Sequence, residues 1–144
     1  MLVHQILKSK AHDGVVTIVP GTSVADAAEL LSSKRIGAVI ISKDGKVPAG
    51  ILSERDIVRE LGRRGTGCLQ DRVDDMMTSE LVSCVAEDST DGVLQKMTDG
   101  RFRHMPVMKD GQMIGLISIG DVVKARLMEL ASENEALQGM IMGH

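Results

Sequence analysis

The sequence predicts an α/β (α+β) protein made of two copies of one β-α-β-β-α module. The ten residues from Gly50 and the ten from Gly115 share glycine, serine and aspartate at the same places, and 115 − 50 gives an offset of 65 residues. The similarity continues upstream at an offset of 66, where Lys43-Asp44-Gly45 matches Lys109-Asp110-Gly111. Each copy also has the same strand and helix signals in the same order. A long period that occurs twice indicates two related modules packed on each other.

In the first module, a short β-branched run ends at Pro20-Gly21, and Thr22 or Ser23 can cap the following helix. The continuous apolar run that comes next is typical of a strand buried on both faces. A polar turn then leads into a third strand and a second helix. The predicted elements are a strand over 15–19, a helix over 24–34, a strand over 38–42, a turn over 43–46, a strand over 50–52 and a helix over 54–64.

The second module repeats this order, and the helices are expected to sandwich mixed sheets. Its predicted elements are a strand over 81–85, a helix over 90–99, a hairpin over 105–108 and 113–117, and a helix from 120 onward. The linker is predicted at 62–67, and 1–7 and 71–77 are matching lead-in segments. The predicted division is 1–65 and 66–130 as a pseudo-twofold pair of modules, followed by a helical tail over 131–144.

The tail extends the last helix beyond the repeat. Its apolar positions are spaced 4, 3, 4, 3 and 4 residues apart, as in a heptad seam with one asparagine: Val123, Leu127, Leu130, Asn134, Leu137 and Ile141. Two heptads are too short to associate alone. Packing against a partner helix, a frayed tail and a tail folded back on the core all remain open.

Composition narrows the choice of function. Phe102 is the single aromatic residue, so no stacking platform for single-stranded nucleic acid can be built. The net charge of −3 argues against general binding to nucleic acid or to a membrane surface. Residues 1–72 nevertheless carry net +3, and residues 73–144 carry net −6. An anion site in the first repeat and a solvated helix face both explain the positive excess, which is contributed mainly by Arg55, Arg59, Arg63, Arg64 and Arg72.

Catalytic and metal chemistry find little support in the sequence. Cys68 and Cys84 lack metal-ligand spacing, and neither has an evident histidine partner. No nucleophile, acid–base pair or metal site can be assembled, so we expect a protein that is not an enzyme and has no catalytic cofactor. The absence of a signal peptide or of an apolar stretch long enough to span a bilayer favours the cytoplasm.

Two Ser-x-x-Asp motifs stand where a strand leads into a helix, at Ser53–Asp56 and Ser118–Asp121. Such a motif is a capping box, worth about 1 kcal/mol. The same geometry also suits a nucleotide, because a helix N-terminus attracts phosphate and a carboxylate one turn inside can accept both hydroxyls of a ribose. Gly50 and Gly115 would let a ligand approach the backbone closely.

In duplicate, this arrangement closely resembles a tandem pair of CBS domains, the modules named after cystathionine β-synthase. Both repeats meet the family motif of glycine, two apolar residues, Ser or Thr, two variable residues and aspartate. Met76-Met77-Thr78 and Arg103-His104-Met105-Pro106-Val107 are also typical of the family. The resemblance covers nearly all of residues 1–130.

The resemblance implies regulatory binding of AMP, ADP, ATP, S-adenosylmethionine or NAD(H) in two clefts between the paired modules. Asp56 and Asp121 would hold the ribose hydroxyls, with Ser53 and Ser118 beside the ribose or first phosphate. Thr17 and Ser83 would face the ligand, or would be ordinary polar strand residues. The segments Gly37-Ala38-Val39 and Arg103-His104-Met105-Pro106 would offer backbone and aliphatic edges to the adenine.

The two predicted sites are unequal. Arg55 and Arg59 lie on one helical face in the first, whereas Gly120 and Lys124 hold those places in the second. We therefore expect the first site to prefer more phosphate and the second a monophosphate or the adenosine half of NAD. The resemblance further implies a homodimer and an unidentified effector protein that responds to ligand-induced conformational change. The alternative is a structural module that binds no ligand and acts through protein–protein contacts.

Overall fold

The computed structural model describes residues 1–10 and 14–141. A 3-10 helix spans Gly65–Gln70. In this described part the other elements are α1 (Val3–Ser9), β1 (Thr17–Ile18), α2 (Val24–Lys34), β2 (Ala38–Ile41), β3 (Gly50–Ser53), α3 (Glu54–Arg64), α4 (Val73–Met76), α5 (Thr90–Gly100), β4 (His104–Lys109), β5 (Gln112–Ser118) and α6 (Ile119–Ile141). The mixed α and β content and the order of elements confirm the predicted fold class.

The described residues form two compact units. Residues 14–82 and 108–114 make the repeat-1 unit, and residues 1–10, 83–107 and 115–141 make the repeat-2 unit. Each unit has its own apolar core, centred on the strands and on one face of each helix. The lead-in segments are therefore exchanged: each packs with the repeat that does not follow it directly. The predicted boundaries at 65 and 130 follow the repeat along the chain, whereas packing crosses them.

The helices of the repeat-1 unit agree with the sequence prediction. The α2 helix begins where the Ser23 hydroxyl accepts the amide of Asp26 at 3.1 Å, and it buries Val24, Ala27 and Leu31 along one face. It ends at Arg35, whose φ of 52° is left-handed. Local capping and helical periodicity are sufficient to set these limits.

The sheet of the repeat-1 unit has the order β1-β2-β3, with β1 parallel and β3 antiparallel to β2. All four residues of β2 are buried, as its continuous apolar run predicts. In the antiparallel register Ala38 lies opposite Ser53 and Val39 lies opposite Leu52. Ser53 is thereby fixed at the end of β3, directly before α3.

The strand predicted over 81–85 is wrong. Only Cys84 pairs there, in an isolated parallel bridge to Val107. In the first repeat the amide of Ile40 donates to the Val16 carbonyl at 3.1 Å and so extends the parallel ladder. Pro106 holds the equivalent place in the second repeat and has no N–H to donate. The ladder therefore stops at Cys84.

The β4–β5 hairpin is longer than predicted, and only two residues connect its strands. Asp110 and Gly111 have φ values of 52° and 77° and form a two-residue turn between the strands. Asp-Gly suits such a turn, because both central residues need positive φ. The hairpin is thus set by local sequence.

The linker predicted over 62–67 is helical. The α3 helix continues to Arg64, and the 3-10 helix follows without a break. Cys68 is buried with the repeat-1 core, and Arg64 pairs with Asp71 at 2.7 Å. The buried cysteine and the Arg64–Asp71 ion pair hold this segment against the repeat-1 unit. The glycine-rich composition of the segment does not predict this packing.

The tail is a continuation of α6, which runs from Ile119 to Ile141. Residues 142–144 of the predicted tail lie outside the described residues. The seam residues Leu127, Leu130 and Leu137 are all exposed, so within the described chain they do not fold back on a core. No helix in residues 1–10 and 14–141 has the length and apolarity needed to cross a membrane.

Candidate functional site

Each repeat contains the same reciprocal cap at the start of its last helix. In the repeat-1 unit the amide of Ser53 donates to Oδ2 of Asp56 at 2.9 Å, and the Asp56 amide donates to the Ser53 hydroxyl at 3.2 Å. In the repeat-2 unit the corresponding distances for Ser118 and Asp121 are 2.9 and 3.1 Å. The capping-box interpretation is therefore correct for both motifs. It leaves lone pairs on each carboxylate available to a ligand.

A second backbone contact fixes each cap against the neighbouring strand. The Gly37 carbonyl accepts the amide of Glu54 at 2.9 Å, and the Arg103 carbonyl accepts the amide of Ile119 at 2.8 Å. The predicted segment 37–39 is thus brought beside Ser53 and Asp56, and the predicted segment 103–106 beside the start of α6. The two repeats place their candidate residues through equivalent hydrogen bonds.

The strand segments differ from expectation in one respect. The side chains of Val39 and Met105 are fully buried, and Ala38 and Pro106 are also buried. Val39 and Met105 belong to the apolar cores of their units, whereas Ala38 and Pro106 are buried outside those cores. Their aliphatic edges are consequently not exposed for an adenine, and only the exposed parts of the segments, such as half-buried Gly37 and His104 and exposed Arg103, can offer contacts.

Thr17 and Ser83 occupy unequal positions. Thr17 is half-buried in β1, opposite Ile40. Ser83 is exposed and lies outside any strand, next to the isolated bridge at Cys84. The loss of the parallel ladder at Pro106 accounts for this difference.

Most arginines of α3 are engaged by carboxylates. Arg59 contacts Oδ1 of Asp56 at 3.1 Å, and Arg63 contacts Glu60 at 2.9 Å. Arg64 contacts Glu60 at 2.8 Å as well as Asp71, and these hydrogen bonds hold the pKa of Glu60 below its usual value and raise that of Arg64. This pairing favours a solvated helix face for Arg63 and Arg64 over a role in anion binding.

Arg55 and Lys124 remain as cations open to a ligand. Both are exposed, Arg55 in the first turn of α3 and Lys124 in the second turn of α6, and neither makes an ion pair within residues 1–10 and 14–141. Arg55 follows Ser53 by two residues and so lies at the N-terminus of α3. That position places a full positive charge next to the positive end of the helix dipole.

A lysine that the sequence analysis did not single out joins the repeat-2 site. Lys10 Nζ donates to Oδ2 of Asp121 at 2.9 Å and to the Leu116 carbonyl at 2.8 Å. Burial alone would raise the pKa of Asp121, but hydrogen bonds from Ser118 and Lys10 hold it below its ordinary value. No repeat signal could have revealed Lys10, because 111 residues separate it from Asp121 and the chain has Glu80, not a lysine, at the matching place after the second lead-in.

Gly50 and Gly115 do not make room for a ligand. A Cβ on Gly50 would overlap the Met77 side chain and lie 3.0 Å from the Thr78 carbonyl oxygen. A Cβ on Gly115 would lie 2.6 Å from Cδ2 of Leu7. Both lead-ins thus fill the space above a glycine with an apolar side chain. The expectation of close ligand approach at these glycines is wrong, because packing needs the space.

An open groove of about 550 Å³ lies between α2 and the first turns of α3 in the repeat-1 unit. Its wall is partly apolar, with Leu31, Ile36 and Ile57. Gly37 contributes to it, but Ser53 and Asp56 do not line it. The groove therefore adjoins the candidate site without coinciding with it.

Neither nucleophilic nor metal chemistry is evident in the described residues. Burial raises the pKa of the Cys84 thiol to about 11, so this cysteine is protonated at neutral pH. Within residues 1–10 and 14–141 no group of three or more His, Cys, Asp or Glu side chains is arranged to hold a metal ion.

Comparison with known proteins agrees with the internal repeat. The CBS domain pattern matches residues 6–63 and again residues 73–128. The chain belongs to the CBS domain family. The two matched stretches contain Ser53–Asp56 and Ser118–Asp121, the motifs at the two helix N-termini.

Relatives of this CBS-domain chain include full-length proteins and solved structures. The mitochondrial CBS domain-containing protein CBSX3 of Arabidopsis thaliana is 37% identical over 141 residues, which are 94% of this chain and 68% of that protein. Several other Arabidopsis CBS-domain proteins are longer, and the chain spans about a quarter of their length. A CBS-domain-containing protein from Agrobacterium tumefaciens is 43% identical with a TM-score of 0.83, over 88% of this chain and 99% of that structure.

Two more distant CBS structures contain adenosine compounds. A CBS domain protein from Pyrobaculum aerophilum in complex with AMP has a TM-score of 0.76 at 24% identity, over 92% of this chain and 99% of that one. The CBS domain pair of protein MJ0100, in complex with 5-methylthioadenosine and S-adenosyl-L-methionine, has a TM-score of 0.77 at 20% identity, over 90% and 98% of the two chains. At these identities the likeness is one of fold.

Proposed function

We propose that this CBS pair is a regulatory module that binds an adenosine nucleotide through its two capped aspartates. The observation that carries the proposal is the matching geometry of Ser53–Asp56 and Ser118–Asp121, whose hydrogen-bond lengths agree within 0.1 Å. The AMP and S-adenosylmethionine complexes of proteins with the same fold support the ligand class. The protein acts by binding and carries no catalytic cofactor.

The aspartates suit a ribose because of how they are held. Each carboxylate is fixed by a backbone amide, so little conformational entropy is lost when it accepts ribose hydroxyls. Asp56 and Asp121 retain 13% and 24% side-chain exposure, enough for a ligand to reach an oxygen. Each also lies in the first turn of a helix of at least 11 residues, where the dipole favours a phosphate on the same ligand.

The base must be recognised without aromatic stacking. Phe102 is the single aromatic residue, and its ring packs against Gly100. Backbone groups and the half-buried side chains around Gly37 and His104 are the available contacts at the two sites. This environment suits adenine, which offers both hydrogen-bond donors and acceptors along its edge.

The two sites are proposed to differ in phosphate preference. Arg55 at the N-terminus of α3 has no counterpart charge at Gly120, so the repeat-1 site favours ADP or ATP and the repeat-2 site favours AMP or the adenosine half of NAD. Arg55→Ala should weaken ADP and ATP binding about fivefold and AMP binding less, because an exposed cation contributes about 1 kcal/mol to an anion. Calorimetric titration with each nucleotide measures this difference.

The control for that titration is Arg63→Ala, which removes an arginine of the same helix that Glu60 engages. It should leave all three affinities unchanged. Equal loss of AMP and ATP affinity in Arg55→Ala would contradict a phosphate role. Unchanged affinity for every nucleotide would assign Arg55 to the solvated face of the helix.

The signal is proposed to pass to a partner protein. Ligand binding can shift only an equilibrium between conformations that it binds unequally, and the altered surface is then recognised by an effector. A homodimer in the cytoplasm is the assembly and location proposed for this module. The exposed seam of α6, with Leu127, Leu130 and Leu137, favours the second candidate function, a module that acts through protein contacts alone.

A thermal-shift panel tests the proposal directly. AMP, ADP, ATP, NAD⁺, NADH and S-adenosylmethionine are compared with GMP. A ligand at about a hundred times its Kd should add about 2.7 kcal/mol to the free energy of unfolding, or roughly 5–10 °C in Tm. We expect a shift with adenosine compounds that is absent with GMP and that falls in Asp56→Asn and Asp121→Asn. Asparagine preserves an acceptor for the cap and removes the charge.

Asp26→Asn is the matched control. Asp26 holds the same third helical position after a capping serine, but it belongs to α2 and lies outside both candidate sites. Its substitution should leave the ligand-induced shift intact. The absence of any shift with adenosine compounds would reduce both motifs to capping boxes and favour the module that binds no ligand.

A further inference from the structure

The two lead-ins meet their β-strands differently. In the repeat-1 unit the chain becomes extended after Met77, and Thr78 exchanges two backbone hydrogen bonds with Ile51, at 2.9 and 3.0 Å. Leu116 is the counterpart of Ile51 at the offset of 65. Its carbonyl is met by the ammonium group of Lys10, at 2.8 Å. A charged side chain therefore takes the place of a neutral backbone donor.

The different lengths of α4 and α1 explain why a side chain replaces a backbone donor in the repeat-2 unit. The α4 helix ends at Met76, directly before Met77 covers Gly50. The α1 helix continues past Leu7, the residue that covers Gly115, and ends at Ser9. Because the backbone is still helical at that point, it cannot pair with β5 as Thr78 pairs with β3. The first side chain beyond the helix, Lys10, reaches the carbonyl of Leu116.

The same ammonium group also contacts the candidate ribose carboxylate. Oδ2 of Asp121 accepts both the Ser118 amide and Lys10 Nζ, each at 2.9 Å. The cation that contacts Asp56 is Arg59, which lies on the same helix and bonds to Oδ1. The Arg59 side chain is 58% exposed. Lys10 is held by two acceptors, whereas the Arg59 contact is one hydrogen bond at the surface.

We propose that Lys10 is a specificity-determining residue that occupies the ribose position of the repeat-2 site. Its ammonium competes with ribose hydroxyls for Asp121, so an adenosine compound must displace it to bind. This inference rests on the proposed function. It predicts that the repeat-2 site binds uncharged adenosine weakly, and that AMP regains affinity because the displaced ammonium can meet its phosphate.

Calorimetric titration with adenosine and with AMP tests the inference in the full chain carrying Asp56→Asn, which leaves the repeat-2 site as the reporter. Lys10→Met should tighten adenosine binding about threefold to fivefold, the range expected when a partly exposed ion pair is removed. The same change should remove the preference for AMP over adenosine. Lys10→Arg should keep the weak adenosine binding, because it restores the cation.

Two further variants separate competition from loss of structure. Lys8→Met removes an exposed cation of the same helix and should leave both affinities unchanged. Lys10→Gln keeps a hydrogen-bond donor without the charge and should tighten adenosine binding if the charge is the competitor. Thermal melts confirm that each variant is folded.

The outcomes distinguish this inference from the proposed function. If the unsubstituted chain binds adenosine compounds but neither Lys10→Met nor Lys10→Gln tightens adenosine binding, the role of Lys10 is overturned and the nucleotide site stands. If the unsubstituted chain and the Lys10 variants all fail to bind adenosine and AMP, both proposals fall. Adenosine binding that appears in both Lys10→Met and Lys10→Gln, and not in Lys10→Arg, supports the inference most strongly.

Discussion

Truncation of Leu52 to alanine is expected to lower the free energy of unfolding by about 2–5 kcal/mol. Leu52 is fully buried in β3, opposite Val39, and lies directly before the capping serine of α3. Its removal leaves a cavity that the sheet and α3 can close only in part. At roughly 3 °C per kcal/mol for a chain of this size, Tm should fall by roughly 6–15 °C.

Ile117→Ala is the matched variant in the second repeat, because Ile117 is the counterpart of Leu52 and is also fully buried. We expect a loss of similar size. Leu127→Ala is the control, since Leu127 is 62% exposed on α6 and its truncation should cost less than about 0.5 kcal/mol. Urea unfolding followed by circular dichroism measures all three, as the chain contains no tryptophan. If Leu127→Ala lowered the free energy of unfolding as much as Leu52→Ala, the exposed position of the α6 seam would be contradicted.

Gly50→Ala is expected to destabilise the protein by about 1–3 kcal/mol, because the site has no room for a methyl group. The new Cβ would overlap the Met77 side chain and press on the Thr78 carbonyl oxygen at 3.0 Å. Methionine can move, but the carbonyl is held by its hydrogen bond to the Ile51 amide. Thermal melts compare Gly50→Ala with Gly50→Ala/Met77→Ala, and we expect the second change to recover only part of the loss.

Gly115→Ala should cost less than Gly50→Ala, since its new Cβ meets only the flexible Leu7 side chain. Gly62→Ala is the control, because it lies within α3 with no atom close to a new Cβ. There alanine should stabilise the helix by up to about 1 kcal/mol. Equal effects of alanine at Gly50 and Gly62 would show that the lead-in does not occupy the space above β3.

The contact of Lys10 with Asp121 makes the two candidate sites different. A carboxylate that already has a cation partner binds a ligand only when the ligand offers more than that partner does. The repeat-1 and repeat-2 sites share the aspartate and its cap but receive their cations from different elements. The duplicated motif therefore provides two carboxylates in different electrostatic surroundings.

Features that depend on a few neighbouring residues could be predicted from the sequence alone. The limits of α2 and α3 and both capping boxes follow from serine caps, helical periodicity and an acidic residue three positions on. The internal repeat was sufficient to predict the fold class and the two aspartates. These signals are local, and each of them occurs in both repeats.

The tertiary structure sets the contacts between distant parts of the chain. It exchanged the two lead-ins, filled the space above Gly50 and Gly115 with side chains, and brought Lys10 to Asp121. The lead-ins share an apolar pattern, since Val3, Ile6 and Leu7 match Val73, Met76 and Met77 at an offset of 70 residues, but this pattern does not determine which unit each lead-in packs against. Burial of apolar surface selects their partners, and that selection depends on the whole core and not on the order of residues along the chain.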